Sequence, residues 1–199
     1  FALKFKSNLD NKEVYDENCR WGNITGNRNS EITKFVNSKE ANRPLRIAYF
    51  LPELDQHVTP KFLKPIILNH NKKQFIVSIY GYTNHGKPQQ FLTQGPHIWV
   101  DVKNMKESDI AQKIRNDKID IFVHPCTFKT RYRNILRYKA APIQIAGINL
   151  VSTTGLDETS YLLSDERTTP YGSTDKFFTE KLVRLSQFNV FGTPGVLPK

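Results

Sequence analysis

Leu45-Arg46-Ile47-Ala48-Tyr49-Phe50-Leu51, set after Pro44 and followed a few residues later by Thr59-Pro60, decides the fold. The first stretch is a compact apolar run of strand length, as a buried strand shows. Thr59 is a good helix N-cap and Pro60 suits the first helical position, so a helix begins there. It is expected to run to about Asn69, with a kink at Pro65 because proline lacks the donor amide.

Working outward, Phe75-Ile76-Val77-Ser78-Ile79-Tyr80-Gly81 reads as a second strand and Ile98-Trp99-Val100 as a short third. Ser108 to Asn116 carries Ile110, Ala111 and Ile114 at helical period, and Ile119-Asp120-Ile121-Phe122-Val123 reads as the fourth strand. Thr130 to Lys139 reads as a helix and Pro142 to Gly147 as the fifth strand, with further short strands at Tyr161-Leu162-Leu163 and Leu182-Val183-Arg184-Leu185. Strands separated by helical stretches of ~10–20 residues are the signature of parallel βαβ units. The expectation is an α/β fold, a Rossmann-like parallel sheet with helices on both faces.

Upstream, Val14, Tyr15, Asn18 and Trp21 fall at helical spacings behind an Asp10-Asn11 cap. Asn23 to Asn42 is polar, rich in Asn, Ser and Lys, and reads as a linker. The division expected is therefore a helix and linker over 1–43 and an α/β body over 44–199. No internal repeat stands out.

The 199 residues are 38% hydrophobic and 12% aromatic. A folded chain of this length buries ~70% of the surface it exposes unfolded, enough for one core, with or without an appendage. No apolar run approaches the ~20 residues of a membrane helix, so no membrane partner is expected. The chain starts at Phe1 with no signal pattern, and reads as a fragment, a processed product or a trimmed chain. The net charge of +10 suits nucleic acid, anionic lipid or a phosphate-bearing substrate. Its basic residues are dispersed, however, without the interleaved aromatic and basic stripe of a nucleic-acid binder, so nucleic acid is not expected as a partner. Cys19 and Cys126 are far apart and indicate neither zinc nor a disulfide framework.

In open parallel sheets, ligands bind beyond the carboxyl ends of the strands. Three loops emerge there: Pro52 to Thr59, His124 to Lys129 and Asn149 to Gly155. His57 lies just ahead of the Thr59 helix start, whose free amides suit phosphate or carboxylate. It is either a functional base or donor, or a histidine that merely decorates the loop. His124 closes the fourth strand and is expected to face the same crevice. Cys126 beside it is a nucleophile or a small buried cysteine. A metal held by His57, His124 and a carboxylate lacks a recognisable ligand spacing. Ser152-Thr153-Thr154-Gly155 either cradles phosphate or sugar hydroxyls or is a turn that satisfies itself by local hydrogen bonds. Dinucleotide, P-loop and hydrolase fingerprints are absent from the sequence, so no cofactor and no metal are expected.

The ordered set of blocks resembles a known family. Arg46-Ile47-Ala48-Tyr49 with His57 and Phe62-Leu63, then Phe75 to Tyr80, Ala140-Ala141-Pro142-Ile143-Gln144, Thr153-Thr154-Gly155 and Glu180 to Leu185 follow the order of the catalytic region of glycosyltransferase family 41, the O-GlcNAc transferase and SPINDLY-like proteins. Glu17 to Gly22 is similar to that family's E-H-x-x-W segment. The resemblance runs from about Val14 to about Phe191.

It implies the N-terminal Rossmann-like half of a two-domain B-type glycosyltransferase, with the second half absent, in a cytoplasmic protein of a kind usually preceded by tetratricopeptide repeats. The implied reaction moves a sugar from a nucleotide-sugar donor to Ser or Thr hydroxyls of a protein acceptor, and this chain alone is expected to be inactive. His57 would be the catalytic residue, and Thr59, Thr153, Thr154 and Gly155 would bind substrate. The departures are Asn18 in place of the family histidine, Thr127-Phe128-Lys129 after strand four, Ile148 to Ser152 without the family's two glycines, and Ser160 in place of an aspartate. These imply an alternative, a non-catalytic protein-interaction module that keeps the fold and has lost the active-site loops.

Overall fold

In the computed structural model, β1 (Leu45–Leu51) is the strand from which the sheet grows in both directions. The structure describes residues 10–25, 34–52, 59–83, 92, 95–125, 130–147 and 152–186, with 25, 59–62, 130 and 131 described in backbone alone. β1 pairs in parallel with β2 (Phe75–Gly81), from Leu45 opposite Phe75 to Leu51 opposite Gly81. On its other side it pairs with β4 (Ile121–His124), Ile47 opposite Ile121. β3 (Ile98–Asp101) flanks β2, and β5 (Ile143–Gly147), β6 (Tyr161–Asp165) and β7 (Lys181–Leu185) extend the sheet beyond β4. The order is β3-β2-β1-β4-β5-β6-β7, parallel throughout.

Alternation along β1 shows why both faces are covered. Ala48 and Phe50 turn to one face, where they meet Tyr80, Phe122 and the apolar sides of α3 (Glu107–Asn116) and α4 (Thr130–Arg137). Ile47, Tyr49 and Leu51 turn to the other, against Val77, Ile79 and Leu63 and Ile67 of α2 (Thr59–Leu68). Chain that winds outward from a central strand in opposite directions, always with the same crossover hand, places its helices on opposite faces. The expected Rossmann-like sheet with helices on both faces is what the chain forms.

The element boundaries shift for local reasons. β4 begins at Ile121 instead of Ile119, because the chain is still turning out of α3: Lys118 has φ 54° and the Ile119 amide donates to the Ile114 carbonyl at 3.2 Å. α4 stops at Arg137, two residues before Lys139 takes φ 44°. α2 continues through Pro65 to Leu68. α1 (Asn11–Thr25) is longer than expected and takes in the start of the polar stretch. The far end of that stretch is tied down: the Asn37 side-chain amide donates to Asp120 Oδ1 at 2.7 Å and to the Lys118 carbonyl at 2.9 Å. Arg43 closes a two-pronged ion pair on Asp120, both bonds 2.7 Å.

Candidate functional site at the carboxyl edge

Chain leaves β1 towards β2 and leaves β4 towards β5, so the two neighbouring strands diverge and open a crevice beyond their carboxyl ends. Of the three loops expected there, 53–58, 126–129 and 148–151 lie outside the described residues, and with them His57, Cys126 and Asn149. Thr59 is the first helical residue of α2 at this edge, one position later than the N-cap role expected of it. The loop after β5 is described from Ser152 onward, and it is the best-defined part of the site.

Thr153, Thr154 and Gly155 are buried there around a carboxylate that the sequence reading gave no role. Glu180, on the turn before β7 and 5% exposed, accepts from the Thr153 hydroxyl at 2.8 Å, the Thr154 amide at 2.7 Å and the Thr154 hydroxyl. The Thr153 hydroxyl oxygen in turn accepts from the amides of Gly155 at 3.0 Å and Thr179 at 3.1 Å. The Leu156 amide donates to the Thr154 hydroxyl oxygen at 3.3 Å. Three successive amides, of 154, 155 and 156, are thus satisfied inside the protein. The loop thus meets its polar groups partly by local hydrogen bonds and partly through the distant carboxylate of Glu180.

α1 is pressed against the same loop. Gly155 has φ +65°, a conformation that suits glycine, and a Cβ there would lie 2.8 Å from the Cys19 amide and closer still to the Asn18 carbonyl oxygen. One turn on, Trp21 stacks under the Arg133 guanidinium of α4, 4.0 Å from its ring centroid, while Arg133 also donates to the Thr154 carbonyl. The Asn18 side chain donates to the Val14 carbonyl at 2.8 Å. Burial pushes the half-buried Cys19 thiol up, away from nucleophilic character at neutral pH.

His124 does not face the crevice. It is fully buried, stacked on Phe50 at 5.2 Å, and its Nε2–H donates to the Tyr132 carbonyl at 3.0 Å. Burial pushes its pKa down to about 3, so the ring is a neutral part of the core and not a base. Period two explains this: Phe122 and His124 share a face of β4, and Phe122 belongs to the core. Among the described residues no group of three His, Cys, Asp or Glu is placed to hold a metal. An open cavity of about 510 Å³, lined by Phe35, Asn37 and Arg115 among others, lies beside the end of α3, away from the carboxyl edge.

Comparison with known proteins places this geometry. The model of glycosyl transferase family 41 matches residues 25–193. A probable UDP-N-acetylglucosamine–peptide N-acetylglucosaminyltransferase SPINDLY of Oryza sativa subsp. japonica is 28% identical over 194 residues, covering 94% of this chain and 21% of its own length. The probable transferase SEC of Arabidopsis thaliana is 28% identical over 145 residues, 71% of this chain and 15% of its own. Among solved structures, a mutant of the Thermobaculum terrenum O-GlcNAc transferase superposes with a TM-score of 0.83 at 25% identity, over 94% of this chain and 36% of that one. The chain therefore spans well under two thirds of the length of the relatives it matches.

Proposed function

Since the chain belongs to glycosyl transferase family 41, we propose that it contributes one Rossmann-like half of an enzyme that transfers N-acetylglucosamine from UDP-N-acetylglucosamine to Ser or Thr hydroxyls of a protein acceptor. The acceptor oxygen forms a bond to the anomeric carbon, the bond to UDP breaks, and the hydroxyl proton passes to a base. His57 is the residue assigned to touch the donor or take that proton. Thr59 and the amides opening α2 hold the donor's anionic groups. Thr153, Thr154 and Gly155 form the floor.

The observation that supports this most is the Glu180-bound loop at the carboxyl edge, in a sheet that superposes on an O-GlcNAc transferase over 94% of the chain. Because the chain covers only 36% of that structure, the 199 residues alone are expected to turn over no donor. The test is transfer of radiolabelled sugar to peptide acceptors by the full-length protein. Failure to bind or turn over UDP-N-acetylglucosamine defeats the reading.

A second reading rests on Asn18, at the position of a family histidine: an amide takes up no proton at neutral pH. On it the fold serves as a non-catalytic interaction module. Donor titration of the full-length protein separates the two, since the module binds no nucleotide-sugar.

A further inference from the structure

The geometry points to Arg133 as a positioning residue that fixes α1 in register on the 152–156 loop, an inference that rests on the donor-site reading of that loop. The guanidinium uses its two surfaces at once. Its face lies 4.0 Å from the centroid of the Trp21 ring, and its edge donates to the Thr154 carbonyl. Only a planar cation serves both contacts from one position: a lysine ammonium is a point charge that satisfies one or the other.

The Thr154 peptide is thereby held from both sides. Its amide and hydroxyl go to Glu180, which arrives from the turn before β7, and its carbonyl goes to Arg133, which arrives from α4. Trp21 immediately precedes Gly22, whose backbone lies against Gly155. Arg133 therefore joins α1 to the loop next to their closest approach, and Asn18 lies one turn away on the same helix, its carbonyl against Gly155. One contact of α1 with the body towards its other end, Tyr15 edge-on to Phe177 at 6.5 Å, is aromatic and tolerates sliding. The stack and hydrogen bond of Arg133 do not. A site held through such a contact loses activity when it loosens, because displacement by ~1 Å is enough to misplace reacting groups.

The test compares Arg133→Lys, Trp21→Leu and the double variant. In the 199-residue chain, amide hydrogen exchange is expected to rise about tenfold over α1 and at Gly155 while β1 and β4 stay unchanged, as a local opening requires. In the full-length protein, KM for UDP-N-acetylglucosamine is expected to rise about fivefold with the melting temperature unchanged, and the double variant to be no worse than either single one, the mark of a shared contact. Additive losses, or exchange that rises evenly through the sheet, overturn the proposal and make Arg133 ordinary core support. A wild type that binds no donor defeats the functional reading, while the exchange data still decide whether Arg133 holds α1. Donor binding that is intact in the variants, with α1 loosened, defeats the positioning role and leaves the functional reading standing.

Discussion

Gly22 of α1 and Gly155 of the loop after β5 meet backbone to backbone: a Cβ on Gly22 would lie 2.9 Å from the Gly155 carbonyl carbon and nearer still to its oxygen. Glycine in a helix ordinarily weakens it by about 1 kcal/mol relative to alanine, so at a solvent-facing position Gly22→Ala would stabilise. Here the added methyl must push α1 off the loop. Gly22→Ala is expected to lower the urea midpoint and to raise amide exchange over α1. A gain in stability would show that the helix is not docked as described. Gly155→Ala should be worse, since its φ of +65° adds strain of order 1–3 kcal/mol to the overlap with Asn18 and Cys19.

Glu180→Gln tests the loop from below. Glu180 is an acceptor at both oxygens, for Thr153 at one and for Thr154 at the other. A glutamine of the same size turns its NH2 towards a donor whichever way it is placed. The cost expected is about 1–3 kcal/mol, the range for leaving a buried donor unmet. Thermal melts of the 199-residue chain read it directly, and an unchanged melting temperature would mean that the carboxylate does not organise the loop.

Stability should fall in two stages on acidification. His124 is held neutral by burial, with its pKa lowered from 6.5 to about 3, a bond to the Tyr132 carbonyl opposing and the charge of Arg133 assisting. The unfolded chain takes up that proton near 6.5, so this contribution is present above 6.5 and is lost as pH falls from there towards 3. Asp120 behaves differently. Burial alone would raise its pKa, but the bonds from Arg43, the Arg46 amide and Asn37 outweigh that and hold it below 3.8. Its contribution is present above 3.8 and is lost as pH falls through the lowered value. Urea midpoints against pH should flatten in the upper range for His124→Phe and in the lower range for Asp120→Asn. Parallel curves for wild type and both variants would refute the assignment.

The sheet was legible in the sequence because its central strands are largely apolar runs, interrupted by Arg46 in β1 and Ser78 in β2, and both strands have the expected limits. Ile119 misled because it is apolar yet belongs to the turn out of α3. The loop at Thr153-Thr154-Gly155 was legible from its place after β5. Its support was not: Glu180 stands 26 and 27 residues from the threonines it binds, and Arg133 meets Trp21 from a helix far along the chain. No spacing rule encodes such pairs. Glu180 left one signal, its place in the family-like Glu180-Lys181-Leu182 block. At His124 the strand-end position points to the crevice, but the two-residue period of β4 puts the ring on the side that Phe122 fixes.

His57 carries the last prediction. It lies outside the described residues, between the end of β1 and Thr59, where α2 opens at the carboxyl edge. Free amides at a helix start and the positive end of its dipole favour an anionic group there. If His57 adds a hydrogen bond to that group, His57→Ala in the full-length protein should weaken donor binding or slow transfer by about 1–3 kcal/mol, the range for a charge-assisted bond. Stability should hardly change on this reading, which predicts His57 on a loop at the cleft edge where a lost side chain opens no core cavity. The opposite pattern, donor affinity and turnover unchanged with a clearly lower melting temperature, would assign His57 to the scaffold. Paired melts and donor titrations on wild type and variant decide between them, and a loss of turnover at unchanged donor affinity would place His57 at the proton and not at the phosphate.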